Sequence, residues 1–185
     1  GERRELEMAL IEKVEGVTWS PKQREALALG LREKVSVLTG GPGTGKTTLV
    51  RALLSSWQHR GARVALAAPT GRAARRLEEA TGHKASTLHR LLEFSPKSGE
   101  FQRDQDNPVP ADIVIVDEVS MVDLPLMAAL LRGLSSGVHL ILVGDAAQLP
   151  SVGPGRVLGD LIDCGQLAIA RLDVVFRQDE TGLIV

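Results

Sequence analysis

Leu38-Thr39-Gly40-Gly41-Pro42-Gly43-Thr44-Gly45-Lys46-Thr47-Thr48 is the stretch that decides the fold of this chain of 185 residues. Gly40 to Thr47 fits the pattern G-x-x-x-x-G-K-[ST]. Val35-Ser36-Val37-Leu38 ahead of it reads as a buried strand, and Thr48-Leu49-Val50-Arg51-Ala52-Leu53-Leu54 behind it reads as a helix. Between a strand and a helix the pattern has physical meaning. Glycines let the backbone fold into a tight cradle of N–H groups, and the helix N-terminus adds unpaired N–H groups and partial positive charge. The loop Gly41, Pro42, Gly43, Thr44 and Gly45, with Thr48 behind it, is therefore expected to hold the phosphates of a nucleoside triphosphate. Lys46 would reach the β- and γ-phosphates, and the Thr47 hydroxyl would ligate magnesium. The loop alone does not say what the energy of hydrolysis is used for.

Working outward, apolar runs alternate with helical patterns. Val35–Leu38, Val64–Ala68, Ile113–Val116, Leu140–Val143 and Leu167–Ala170 read as strands, each nearly continuous in apolar residues. Strands of that kind are covered on both faces. Helical stretches lie near Thr47–Gln58, Arg72–Ala80, Ser86–Leu92, Leu124–Leu134 and Gly155–Ile162. The alternation predicts an α/β domain with a parallel sheet and right-handed crossovers. Leu6–Val14 has apolar residues at helical spacing and is expected to pack on the flank.

Two further strand ends carry polar chemistry. Ile113-Val114-Ile115-Val116 ends in Asp117-Glu118. A carboxylate there can hold the nucleotide's magnesium, and its neighbour can accept a proton from the attacking water. Asp117 is assigned to the metal and Glu118 to the base. Leu142-Val143 runs into Gly144-Asp145-Ala146-Ala147-Gln148. Ligands of open parallel sheets sit beyond the carboxyl ends of strands, so Gln148 is placed to orient water or sense the γ-phosphate.

Composition bounds the remaining possibilities. Hydrophobic residues make up 43% and charged residues 24%, the balance of a folded domain. Net charge is −1, so any nucleic-acid site has to be local rather than a bulk electrostatic effect. The lone Cys164 excludes an intrachain disulfide and is expected to be a small buried hydrophobe. No apolar run approaches the ~20 residues of a membrane span, and no signal peptide is evident, which points to the cytoplasm. Thr181-Gly182-Leu183-Ile184-Val185 ends in an apolar run without a closing signal, as a piece of a longer protein would. One segment breaks the alternation. Glu93-Phe94-Ser95-Pro96-Lys97-Ser98-Gly99-Glu100-Phe101 has turn residues between two phenylalanines, and Gln102–Pro110 follows it. A short hairpin turning near Lys97–Gly99 and a solvated loop both fit.

Taken together, the motifs resemble the first RecA-like motor domain of a superfamily 1 DNA helicase, within the RecD-like 5′-to-3′ group. Gly40–Thr48, Ala68–Ala74 (Ala-Pro-Thr-Gly-Arg-Ala-Ala), Ser86–Leu92, Asp117–Met121 and Gly144–Gly155 carry the resemblance in the family's order, with Val175–Gln178 as a sixth. It covers nearly the whole chain from Trp19 onward. It implies a flanking helix over residues 1–18 and a RecA-like P-loop NTPase domain over residues 19–185. It also turns the two readings of residues 93–107 toward an inserted β-hairpin, a pin that helps split duplex DNA.

Further assignments follow from the resemblance. Pro69, Thr70, Gly71 and Arg72, with Thr87 and His89, are expected to contact single-stranded DNA. The chemistry agrees, since Thr70, the Gly71 backbone and Arg72 stand at a strand exit and helix start suited to gripping phosphate. His89 can stack on a base. Aromatic content of 3% argues for backbone-directed, sequence-indifferent binding. Gln23 matches a glutamine that reads adenine, but Ser20-Pro21-Lys22-Gln23 is equally a helix capping box. Arg177 resembles an arginine that reaches the γ-phosphate. The implied ligands are ATP, Mg2+ and single-stranded DNA. The implied partners are a second RecA-like domain of the parent chain, whose motifs have no counterpart before Val185, and subunits of a recombination or repair nuclease. The chain alone is thus expected to hydrolyse ATP weakly and to unwind negligibly. Two other readings use the same phosphate loop: an ATPase switch that does not translocate, and a nucleotide-binding module that docks a partner.

Overall fold

The computed structural model describes residues 2–173, with side chains from Glu5 onward. Arg177 and the Val175–Gln178 motif lie outside the described residues. In chain order the main elements are α1 (Glu2–Glu15), α2 (Pro21–Arg32), β1 (Val35–Thr39), α3 (Lys46–His59), β2 (Val64–Ala68), α4 (Gly71–Thr81), β3 (Ala85–Thr87) and α5 (Leu88–Leu91). The hairpin β4 (Phe94–Ser95) and β5 (Glu100–Phe101) follows, then β6 (Ile113–Val116), α6 (Leu124–Gly133), β7 (His139–Gly144), α7 (Val157–Asp163) and β8 (Ala168–Arg171).

Six strands form one all-parallel sheet in the order β3-β2-β6-β7-β1-β8. The apolar strand runs have a direct cause in the layers on either face. Ile113 and Ile115 point into a core shared with Leu27, Leu49 and Leu53 of α2 and α3, while Val114 and Val116 point into a second core with Leu126 and Leu130 of α6. Both sets are essentially inaccessible to water. A strand buried on both faces needs apolar residues at every position, not at alternate ones. The α/β RecA-like architecture expected from the sequence is the one observed.

Two expectations need correction. Ser86–Leu92 is not one helix: Ala85–Thr87 pairs with Leu66–Ala68 as strand β3, and the helix is the single turn Leu88–Leu91. A three-residue edge strand without an apolar run leaves no periodic signal. Cys164 is exposed, because it caps the end of α7 while Val157, Leu158 and Ile162 face the core.

The hairpin pairs Phe94 with Phe101 and Ser95 with Glu100, and Gly99 takes the left-handed conformation (φ 71°) that the turn requires. Residues 102–108 are an ordered loop, not strand. The Asp104 carboxylate accepts from the N–H groups of Asp106 and Asn107, both at 2.9 Å. Among the described residues no helix is long and apolar enough to cross a membrane.

Candidate nucleotide site and nucleic-acid edge

The carboxyl ends of β1, β6 and β7, three adjacent strands, meet around a cleft of about 390 Å³. Gly41 to Thr47 form one wall, Asp117 and Glu118 the second, and Gly144, Asp145 and Gln148 the third. The cradle geometry follows from glycine. Gly43 and Gly45 sit at φ 76° and 82°, and Gly45 opens α3 without a side-chain cap. The N–H groups of that helix end are thereby left for a ligand. Thr44 Oγ1 donates to Gly41 O at 2.8 Å and draws the loop closed. Lys46 Nζ lies on the carbonyls of Gly40 and Gly41, the latter at 2.8 Å. Thr48 is in the first turn of α3 but does not line the cleft.

Asp117 and Glu118 face different constraints. Burial pushes the Asp117 carboxyl above the usual carboxylate range, and the charge of Glu118 adds to this. The Glu118 N–H, donating to Asp117 Oδ1 at 2.8 Å, and the Lys46 charge pull the other way. Glu118 itself adopts φ 55°, a conformation non-glycine residues rarely take. Backbone strain of this kind is held only where the surroundings fix it, and here it turns the Glu118 side chain out of the strand line at the cleft. The Asp117 carboxylate and the Thr47 hydroxyl are hard oxygen donors, the set that magnesium accepts.

Gln148 is exposed at the cleft mouth, and its Oε1 accepts from Ser120 Oγ at 3.4 Å. Ser120 follows the strand that carries Asp117, so this contact joins the second and third walls. Thr39, the last residue of β1, accepts from Ala146 N at 3.3 Å and ties the first wall to the third. Neither Ser120 nor Thr39 was singled out in the sequence. The signal available was a hydroxyl beside each strand end, too common to stand out alone.

Gln23 fulfils the capping box and reaches further. Its Oε1 accepts from Ser20 N at 3.0 Å, its N–H donates to Ser20 Oγ at 3.3 Å, and its Nε2 donates to Thr44 O at 3.2 Å. The side chain therefore lies under the phosphate loop. A Cβ on Gly45 would stand 2.6 Å from Gln23 Nε2 at a φ of 82°, so a side chain there would displace the Gln23 amide and strain the backbone.

The residues expected at DNA lie along the same sheet edge but outside the cleft. Thr70 caps α4, accepting from Ala73 N at 3.2 Å, and Gly71 and Arg72 are exposed beside it. Pro69 and Thr70 follow β2 directly. Thr87 caps α5, accepting from Arg90 N at 3.1 Å. His89 is exposed and packs on both hairpin phenylalanines, with ring centroids 5.3 Å from Phe94 and 5.4 Å from Phe101. The phosphate cleft and the β2 and β3 exits thus share one face of the domain.

Known proteins share this sequence and fold. The family described as an AAA domain matches residues 23–154. The chain is 43% identical to the RecBCD enzyme subunit RecD of Mycolicibacterium smegmatis, over 86% of this chain and 33% of the relative. It is 46% identical to the RecD subunit of Mycobacterium tuberculosis, over 77% of this chain and 28% of the relative. It is also 43% identical to the ATP-dependent RecD2 DNA helicase of Deinococcus radiodurans, over 90% of this chain and 23% of the relative. The chain therefore spans about a quarter to a third of the length of these relatives. Among solved structures, Bacteroides sp. Pif1 in complex with ADP-AlF4 superposes with TM-score 0.63 at 23% identity, covering 88% of this chain and 43% of that one, which shows a shared fold. Pif1 helicase from Candida albicans superposes with TM-score 0.60 at 26% identity, covering 86% of this chain and 41% of that one. With the motif order, the sheet and these relatives in agreement, the chain belongs to the AAA domain family and is a RecA-like motor domain of the RecD-like superfamily 1 DNA helicases.

Proposed function

We propose that this domain binds ATP with Mg2+ in the three-walled cleft and single-stranded DNA across the β2 and β3 exits. In its parent protein it would couple hydrolysis to 5′-to-3′ translocation and duplex unwinding. The observation that carries this reading is the convergence of Lys46, Asp117, Glu118 and Gln148 from three strand ends onto one cleft, with the phosphate-gripping segments on the same edge.

Each of the described residues has a role its position supports. The glycine-rich loop and the α3 N-terminus receive the β- and γ-phosphates, and Lys46 exchanges its backbone carbonyls for phosphate oxygens. Thr47 and Asp117 would hold magnesium, which neutralises charge on the phosphate oxygens when bound. Glu118 accepts the proton of the attacking water, whose oxygen bonds to the γ-phosphorus as the bond to the β–γ bridging oxygen breaks. Gln148 orients that water and is steadied by Ser120. Arg177 is proposed to stabilise the charge that develops on the transferred group. The Gln23 amide has one N–H and one lone pair beyond its internal bonds, enough to read the edge of adenine.

Pro69, Thr70, Gly71, Arg72, Thr87 and His89 are proposed to hold DNA mainly through its backbone. A second RecA-like domain of the parent chain would complete the ATP site, and recombination or repair nuclease subunits are candidate partners. The location proposed is the cytoplasm.

The test is steady-state ATP hydrolysis by the parent protein with and without an unstructured single-stranded oligonucleotide. Strong stimulation that disappears in Lys46→Ala is expected. Turnover indifferent to DNA would sink the motor reading and favour a switch or docking module. The 185-residue chain alone is expected to bind ATP while unwinding negligibly.

A further inference from the structure

The hairpin is joined to the domain by an unusual piece of chemistry. Arg103 is largely buried, with 18% of its side chain exposed, and its guanidinium spans both ends of the insertion. On the entry side Nη2 donates to Glu93 Oε1 at 2.8 Å. On the exit side Nη1 donates to Asn107 Oδ1 and to Pro108 O, both at 3.1 Å. The backbone repeats the closure, with Arg103 N donating to Leu92 O and Gln102 N to Glu93 O, both at 3.2 Å. Two costly features accompany this clasp. Glu93 is held at φ 53°, and Arg103 Nε is buried without a hydrogen-bond partner. Gly133 leaves room for the arginine, since a Cβ there would stand 3.3 Å from Arg103 Cβ and 2.8 Å from Leu92 Cδ2.

We infer that Arg103 is a positioning residue that fixes the attitude of the β4–β5 hairpin relative to His89, so that strand separation depends on it while DNA-stimulated ATP hydrolysis does not. The hairpin has only two residues per strand, too few to be rigid by its own ladder. Beyond the packing of Phe101 on the core, its direction comes from its foot. The foot sets where Phe94 and Phe101 stand against His89, and hence where the hairpin tip stands relative to DNA leaving the β3 exit. Arginine suits this task because its planar fork binds acceptors on both sides at once, whereas the lysine ammonium is a point charge on a flexible stem. The inference rests on the helicase reading and on the hairpin acting in strand separation.

The experiment compares, in the parent protein, forked-duplex unwinding and single-strand-stimulated ATP turnover for Arg103→Ala, Arg103→Lys, Asn107→Ala and a variant in which residues 95–100 are replaced by a short glycine linker. In Arg103→Ala, unwinding per ATP hydrolysed should fall by roughly tenfold to a hundredfold, as for other small misplacements of a working group. ATP turnover and its dependence on DNA concentration should stay within about twofold. Arg103→Lys should fail to restore unwinding, and Asn107→Ala, at an exposed position that does not threaten folding, should give a smaller drop of the same kind. A parallel loss of ATP turnover would show a merely structural role and overturn the inference. Normal unwinding by Arg103→Ala, with loss in the hairpin-shortened variant, would overturn the clasp and leave the hairpin's role intact. Normal unwinding by the hairpin-shortened variant would remove the hairpin's role and the inference with it.

Discussion

Gln23 shows how much a single side chain can be asked to do. One amide caps α2, supports the phosphate loop through Thr44, and keeps enough hydrogen-bonding capacity for a base. Removing it takes away the side-chain partners of the buried Thr44 carbonyl and of the half-buried Ser20 N–H. Gln23→Ala should therefore lower stability by about 1–3 kcal/mol, measured by urea unfolding. ATP affinity should fall more than GTP affinity; equal falls would reduce Gln23 to cap and loop support. Asp117 makes the opposite prediction. Its carboxyl is raised by burial, so folding disfavours the ionised form relative to the unfolded chain. The stability this contributes is present below the ordinary carboxylate value and is lost as pH rises through the raised one. At neutral pH the ionised group is thus a net burden. Asp117→Asn keeps an acceptor for the Glu118 N–H and should raise the Tm of the nucleotide-free protein at pH 7, with the gain shrinking in acid. Magnesium-dependent nucleotide binding should be lost in the same variant. An unchanged or lower Tm at pH 7 would contradict the burial argument.

At the scale of elements, the strands are positioned from their amino ends as much as from the site. Asp112 accepts from Arg63 N at 2.8 Å and from its guanidinium at 2.9 and 3.1 Å, joining the starts of β2 and β6. The Arg63 hydrogen bonds hold the Asp112 carboxyl at about 2. A lowered carboxyl contributes stability that is full above its ordinary value and is lost as pH falls through the lowered one. Asp112→Asn should therefore flatten the dependence of Tm on pH between about 4 and 2, an effect that salt should weaken because the pair is exposed. The elements also show what a sequence displays. The strands β1, β2, β6 and β7 announce themselves because burial on both faces demands nearly continuous apolar runs, broken in β1 only by Ser36 and Thr39. The capping box at Ser20 announces α2 for a similarly local reason. β3 does not, since Ala85-Ser86-Thr87 is held by the register of its neighbour and not by its own composition. The phosphate loop and Asp117-Glu118 were legible because backbone shape and metal chemistry restrict residue type. The Ser120–Gln148 and Arg103–Glu93 contacts were not, because they join residues whose proximity only the folded chain creates.

At the scale of the molecule, an all-parallel sheet gathers every strand exit on one edge, and both proposed ligands lie there. That arrangement puts the cleft proposed for the nucleotide near the sheet's centre and the segments proposed for DNA toward its β3 side. Gly45→Ala tests whether the edge works as one surface. The added Cβ would press on Gln23 at a backbone angle suited to glycine, so nucleotide binding should fall steeply. DNA binding measured without nucleotide should hold, and a comparable loss of both would mean the edge cannot be divided. The strand order has one more consequence, and it concerns the growing chain. β1, which launches the phosphate loop, is flanked by β7 and β8, so Val35 waits for Leu140 and Ser36 for Ala168. During synthesis this strand emerges before every other strand of its sheet, yet its two neighbours, β7 and β8, are the last two to follow. Until the ribosome has released residues beyond Arg171, Val35–Thr39 is a bare apolar edge open to wrong partners, and slow, late-closing maturation is the kinetic signature this topology carries.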